Sequence, residues 1–158
     1  MDDRRTKAVY AATKQMCDEL GVKYAAFDDE YRMEFTSVGE DLHIPVSIRL
    51  SPENRVLVML CECPFSVPER GRDDVALAAS MVNFSLADGS FDFDRLRGRL
   101  RFRVTSGYYD SLLGKEALYR MLAYALVITD EYNDKLFDVA LGRLTVSRFA
   151  ELFGNGRR

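Results

Sequence analysis

The stretch Val56-Leu57-Val58-Met59-Leu60-Cys61 contains six consecutive apolar residues. Successive side chains of a β-strand point to opposite faces of a sheet, so a strand with this sequence has two apolar faces. Ser51-Pro52-Glu53-Asn54 has turn chemistry, and Pro64 follows on the other side, which together predict a strand from Arg55 to about Cys63. Such a strand has to be covered twice, and this requirement governs the arrangement of the rest of the chain.

Three further strand patterns precede this stretch. They span Val22 to Phe27, Tyr31 to Thr36 and Ile44 to Leu50, and the second and third alternate between apolar and polar residues. Turn residues separate them at Asp28 to Glu30 and at Gly39 to Asp41. Because the connections are short, the four strands are expected to form an antiparallel meander.

Four segments have the periodicity of amphipathic helices. The apolar spacing predicts helices over Asp3–Leu20, from Pro68 or Glu69 to Leu86, from Ser111 or Lys115 to Leu141, and over Val146–Phe153. Gly21 and Gly142 are placed to end the first and third helices, and Thr145 is placed to cap the last. Residues Met121 to Ile128 are apolar nearly all round, which predicts that the middle of the long helix is deeply buried.

A hairpin lies between the second and third helices, with its loop at Arg95 to Gly98. Pairing Phe91 with Phe102, and Phe93 with Leu100, brings the apolar sides of its two strands together. The predicted fold class is therefore α+β, with an antiparallel sheet (meander plus hairpin) packed by helices in the order α-ββββ-α-ββ-α-α. Residues 1–158 are expected to form one domain, with 154–158 as a frayed tail.

Arg99, Arg101 and Arg103 share one face of the second hairpin strand. The predicted register sets Asp94 opposite Arg99 and Asp92 opposite Arg101, and it leaves Arg103 and the loop arginines unpaired. Three interpretations follow: a solvated face of internal ion pairs, a stripe that binds phosphate or nucleic acid, or a docking surface for an acidic partner. The first of these is favoured.

Composition limits the chemistry available. The chain has 158 residues, 47% of them hydrophobic and 30% charged, with a net charge of −3, one histidine (His43) and three cysteines (Cys17, Cys61 and Cys63). We therefore expect no metal site, no cofactor, no catalytic site and no nucleic-acid partner. No apolar run reaches the length of about 20 residues that a membrane helix needs. An odd number of cysteines in apolar surroundings is typical of a cytoplasmic protein.

The strand from residue 56 to 61 carries the main functional hypothesis. Helices can cover one of its faces, and the other face needs further helices of the same chain, a second copy, or a bound partner. The residues predicted to bind a partner lie on this strand and on the strand before it: Val46, Ile48, Leu57, Met59 and Cys61. A partner segment would lie on this surface or pair with a free strand edge.

The order of elements resembles the type III secretion chaperone-like fold and, within it, the YbjN family. The resemblance extends from Asp3 to about Phe153. It is carried by Val46–Leu50 through Val56–Leu60, by Ala78–Asn83 with the hairpin Gly89–Asp94 and Gly98–Arg103, and by Asp130–Leu136. The last helical segment, Leu144 to Phe153, departs from the minimal chaperone pattern.

This resemblance implies a compact α+β fold, frequent homodimerisation and no known reaction. Its members are described as regulators of bacterial sensing and stress, or as small acidic chaperones that hold a partner segment in extended form. The expected function is accordingly a non-enzymatic protein-binding module. The alternative is a small-molecule sensor or an unrecognised enzyme, with a pocket around Tyr108, Tyr109 and Arg103.

Overall fold

An antiparallel sheet forms the centre of the fold, which a computed structural model describes for residues 4–39 and 41–153. The strands are β1 (Tyr24–Phe27), β2 (Arg32–Val38), β3 (His43–Ser51), β4 (Val56–Ser66), β5 (Ser90–Asp94) and β6 (Arg99–Gly107). The helices are α1 (Arg4–Glu19), α2 (Arg72–Ser85), α3 (Lys115–Ala140) and α4 (Val146–Phe153), and short 3₁₀ turns occupy Asp28–Glu30 and Glu69–Gly71. The predicted start at Asp3, the turn residue Glu40 and the tail 154–158 lie outside the described residues.

The predicted fold class and order of elements are confirmed. The strands lie in the order β1-β2-β3-β4-β6-β5, so the meander and the hairpin join through β4 and β6. The hairpin register is also as predicted, with Phe91 opposite Phe102 and Phe93 opposite Leu100. β4 is thus a central strand with a partner on each side.

β4 is longer than predicted because Pro64 does not end it. The pairing of β4 with β6 shifts between Glu62 and Ser66, where the strand is irregular. Pro64 lies in this irregular segment and is exposed. A bulge is one of the few places where a strand tolerates a residue without an N–H group, so the proline interrupts the ladder and the strand continues past it.

The helices cover one face of the sheet. On β3 and β4 every second residue is buried, and the residues that alternate with them are exposed or half-exposed. The long helix α3 packs its rings on the covered face, with Tyr124 against Phe102 at 6.0 Å and Phe137 against Phe65 at 5.0 Å between ring centroids. α1 reaches the same face, where the hydroxyl of Tyr10 donates to the Arg32 carbonyl.

The helix termini follow the predicted signals except at the start of α2, and the middle of α3 is less buried than predicted. Gly21 and Gly142 adopt left-handed φ angles of +67° and +72°, as helix-ending glycines do, and the Thr145 hydroxyl accepts a hydrogen bond from the Arg148 N–H at the start of α4. α2 begins at Arg72, because a 3₁₀ turn occupies the residues after Pro68. The middle of α3 is not buried all round, since Val127 is 61% exposed.

Candidate functional site

The five residues predicted to bind a partner all lie in the core. Leu57, Met59, Cys61 and Ile48 are 0% exposed and Val46 is 3% exposed. They point to the helix-covered face, where a partner cannot reach their side chains while the chain is folded. The predicted contact set is therefore corrected: β4 is apolar on both faces, the predicted residues occupy the covered one, and the accessible side chains are those that alternate with them.

The open face of the sheet has a short apolar strip at its centre. Val56, Val58 and Leu60 are half-exposed on β4. Arg49 lies opposite Val58 and Ser47 opposite Leu60 on the β3 side, and polar residues of β6 border the strip on the other. This face is thus a narrow aliphatic strip within a polar surface, and the strip is partly shielded by its neighbours.

The arginine series is neutralised within the hairpin and β4. Arg99 pairs with Glu62 at 3.1 Å, and Arg103 pairs with Asp92 at 2.7 Å. Arg101 lies 3.8 Å from the same Asp92 carboxylate. The hydrogen bond to Asp92 raises the pKa of the Arg103 guanidinium. The expectation that Arg103 is unpaired is therefore wrong, because its side chain reaches diagonally across the strand pair to Asp92.

The loop arginines also have acidic partners. Arg97 pairs with Asp94 at 3.0 Å and Arg95 pairs with Asp73 at 2.7 Å. These hydrogen bonds lower the pKa of the Asp94 and Asp73 carboxyl groups. Asp94 therefore forms its ion pair with Arg97 in the loop, although it lies opposite Arg99 in the strand pairing. The five arginines form a charge-paired surface, which supports the interpretation of a solvated face of internal ion pairs.

A stripe of apolar side chains on α2 lies largely outside the core. Leu77 is 54% exposed and Phe84 is 93% exposed, while Met81 between them is half-buried and also packs against the core. Their spacing of four and three residues places them on one side of the helix, whereas Val75 and Val82 of the same helix are fully buried. We call Leu77, Met81 and Phe84 the α2 stripe. Sequence reasoning assigned α2 a single apolar face and missed this one, although its spacing was readable.

One outer edge of the sheet is blocked by α2. The side-chain oxygen of Asn83 accepts a hydrogen bond from the Phe91 N–H at 2.7 Å, and its amide group donates to the Phe91 carbonyl at 3.0 Å. Both main-chain groups of Phe91 that point away from β6 are therefore occupied. An incoming strand could not pair with β5 at this residue.

The three cysteines are buried free thiols. Burial raises the pKa of Cys61 and Cys63 to about 12, and that of Cys17 to about 11. The reactive thiolate is thus scarce at neutral pH in the folded chain.

We expect a thiol reagent such as dithionitrobenzoate to leave all three cysteines of the native protein unmodified at pH 8, and to titrate three thiols per chain in denaturant. Rapid modification of a native thiol at pH 8 would contradict the observed burial.

The raised pKa values also affect the pH dependence of the free energy of unfolding. The stability contributed by the neutral buried thiols is present below pH 9 and is lost as the pH rises from there toward 12.

The residues of the predicted small-molecule pocket do not converge. Tyr108 is fully buried, and its hydroxyl contacts the Ser51 carbonyl and the Thr6 hydroxyl, each at 3.1 Å. Tyr109 is 58% exposed, while Arg103 is held by Asp92 on the open face of the sheet. His43 is exposed at the start of β3. These side chains therefore do not line a common cavity.

The described part of the chain holds neither a metal-binding cluster nor a membrane-spanning helix. Across residues 4–39 and 41–153, no three histidine, cysteine or acidic side chains are grouped so as to hold a metal ion. None of the helices in these ranges has the length and apolar character needed to cross a bilayer.

The comparisons with known proteins identify the fold. No protein-family model matches the chain, and no curated protein matches it. Among solved structures, the ExsC–ExsE complex includes a chain with a TM-score of 0.58 and 18% identity, over 83% of this chain and 95% of that one. The HopA1–SchA chaperone–effector complex gives a TM-score of 0.55 and 13% identity, over 81% and 96%. YbjN from E. coli gives 0.54 and 12%, over 90% and 91%. The chain therefore has the fold of the type III secretion chaperone-like proteins and YbjN, as the sequence pattern suggested.

Proposed function

We propose that the chain is a non-enzymatic protein-binding module, chaperone-like or regulatory, that works in the cytoplasm as a homodimer. The observation that carries this proposal is the α2 stripe. A phenylalanine that is 93% exposed, with a leucine and a methionine beside it, is apolar surface that a soluble protein normally covers with a partner.

The structural comparisons support a role in binding protein. Two of the similar chains come from complexes between proteins, and one of these is described as a chaperone with its effector. At 18% and 13% identity the likeness establishes the fold, and the function of those proteins reaches this chain only as a hypothesis. The three reduced thiols support a reducing compartment.

A second copy of the chain is the occupant that the α2 stripe fits best. A two-fold dimer places the same patch of each copy in contact, so an apolar stripe is automatically complementary to itself. A stable interface buries about 800 Å² on each partner, so Leu77, Met81 and Phe84 would form the apolar centre of a wider contact. The face of α2 opposite the stripe is already packed in the core, which leaves this side for the contact.

Sedimentation equilibrium tests this proposal. We expect the wild-type chain to sediment with twice its mass of 18.0 kDa at micromolar concentration. The double variant Leu77→Asp with Phe84→Asp should sediment as a monomer, because two carboxylates at the apolar centre of the contact have to be desolvated when the dimer forms. Both positions are exposed, so the variant should keep its helical circular dichroism.

The matched control is Leu96→Asp, in the turn between β5 and β6, where Leu96 is 82% exposed. This variant loses a comparable exposed leucine and should remain dimeric. A wild-type chain that stays monomeric up to millimolar concentration would refute the dimer. Equal dissociation by the control would show that the effect does not belong to the α2 stripe.

A further inference from the structure

We infer that a groove between α3 and the connection from β2 to β3 binds a linear aliphatic polyamine. The ligand would place a protonated nitrogen at a carboxylate on each wall of the groove and lay its methylene chain on the apolar surface between them. This inference goes beyond the proposed function and does not depend on the dimer, because none of the described residues that line the groove belongs to α2.

The groove has the size of a small-ligand site. Its volume is about 320 Å³, which lies near the lower end of the range for small-molecule pockets in proteins. The end of β2, the connection and the start of β3 form one wall, and a turn of α3 forms the other. A hydrogen bond of 2.9 Å from the Gly39 N–H to the Leu42 carbonyl closes the connection beside the groove.

The surface between the two walls is aliphatic. Leu42 and Ile44 line the groove from the side of β3, and Leu126 and Val127 line it from α3. Leu42 and Leu126 also pack against the core, so their positions are fixed by the fold. Val127 is 61% exposed, and a methylene chain laid over it would remove apolar surface from water.

Asp130 supplies a carboxylate on the α3 wall. It forms no ion pair or side-chain hydrogen bond within residues 4–39 and 41–153. Each of the other acidic residues of α3 has a basic or amide partner, and the pairs are Glu116 with Arg120, Glu131 with Lys135, Asp134 with Asn133, and Asp138 with Arg143. Asp130 follows Leu126 and Val127 by four and three residues, so it lies on the same side of the helix as the apolar surface.

Asp41 supplies a second carboxylate on the opposite wall, directly before Leu42. It too has no ion pair or side-chain hydrogen bond among the residues that the structure describes. None of the described residues lining the groove is basic, and His43 lies on the open face of the sheet because Ile44 beside it is buried under the helices. The groove therefore carries two negative charges that no described lining residue compensates.

Two carboxylates on opposite walls, with an aliphatic surface between them, match a chain that carries several cations. The amines of a polyamine, like that of lysine, are protonated at neutral pH. Its methylene segments can cover apolar surface as the stem of a lysine does. A single exposed ion pair contributes little, so two contacts made by one molecule are needed for measurable affinity. A monoamine can satisfy only one of the two carboxylates.

Isothermal titration calorimetry of the intact wild-type chain at low ionic strength tests the inference, with spermidine as the probe. We expect one site per chain, with a dissociation constant on the order of 0.1 mM. Asp130→Asn and Asp41→Asn should each weaken spermidine roughly fivefold by removing one charge contact. Both positions are exposed, so the variants should remain folded. Butylamine has one nitrogen and should bind roughly tenfold more weakly than spermidine.

The matched control is Glu53→Gln, which removes one negative charge at an exposed site in the turn between β3 and β4. Any protein with a net negative charge attracts polyamines over its whole surface, and this variant reports that general attraction. It should bind spermidine as the wild type does. Val127→Ser should weaken spermidine roughly twofold, because it removes apolar surface and leaves both carboxylates in place.

Equal weakening by Glu53→Gln and Asp130→Asn would show general attraction to the surface and would overturn the inference. Spermidine affinity unchanged in Asp130→Asn, butylamine bound as tightly as spermidine, or no binding to the wild type at millimolar spermidine would each overturn it as well. Spermidine binding that meets these expectations in a chain that sediments as a monomer would refute the dimer and leave the polyamine site standing.

Discussion

Replacing Met59 with aspartate is expected to abolish cooperative folding, whereas the same change at the adjacent Val58 leaves the chain folded. Met59 is 0% exposed under the helices, while Val58 lies on the open face opposite Arg49. Removing a buried methionine costs roughly 2–5 kcal/mol, and burying a carboxyl group in its place adds several more. The sum is comparable with the roughly 5–15 kcal/mol that stabilises a whole domain.

Val58→Asp serves as the matched control for this prediction. A strand position disfavours aspartate by about 1 kcal/mol, and the neighbouring Arg49 offers a partial compensation. Thermal melts followed by circular dichroism should therefore show no transition for Met59→Asp and a nearly native one for Val58→Asp. The opposite order would mean that the helices cover the other face of β4.

The second large effect is expected from Gly71→Ala. Gly71 precedes α2, and a β-carbon there would lie 2.2 Å from the carbonyl oxygen of Ala140 and 2.9 Å from its carbonyl carbon. Both contacts are with main chain, which cannot rotate away, so the start of α2 must separate from the end of α3. We expect a loss of about 3 kcal/mol in the free energy of unfolding, at the upper end for overpacking.

Gly114→Ala is the control for the steric argument. Gly114 precedes α3 with a φ of −74°, and a β-carbon there would meet nothing within 4 Å. An added methyl group restricts the unfolded chain and so stabilises by roughly 0.4–1 kcal/mol, but Gly114 is the N-cap of α3, where alanine is less favourable than glycine by a similar amount. Urea denaturation should therefore show a large loss of stability for Gly71→Ala and a midpoint close to that of the wild type for Gly114→Ala. Equal midpoints would contradict the close approach of α2 and α3.

The parts of the fold that could be predicted were those set by local pattern. Phe91 and Phe93 of β5, and Leu100 and Phe102 of β6, lie at every second position of their strands. This alternation predicted the hairpin register, because a slip by one residue would have turned the apolar side chains to the exposed face. Glycines at 21 and 142 marked the helix ends for a similar local reason: few other residues adopt a left-handed φ without strain.

Features that depend on tertiary contacts could not be predicted in this way. Both faces of residues 56–61 are apolar, so nothing in the stretch indicates that Met59 is covered and Val58 is not. Arg97 pairs with Asp94 because of the position of the hairpin loop. Asn83 blocks the edge of β5 because of the position of α2. The α2 stripe is the exception, because its spacing was present in the sequence and only the burial of the opposite face gave it meaning.

Cross-linking at position 81 tests most directly whether the α2 stripe is an interface between copies. Met81 lies at the middle of the stripe, and a two-fold contact centred there brings the two copies of residue 81 close together. The native thiols are buried and should not interfere. We predict that Met81→Cys gives a covalent dimer with a short bis-maleimide, and that Leu96→Cys, at an 82% exposed site outside the stripe, does not. A monomeric Met81→Cys product, or equal dimer yields from both variants, would contradict the account.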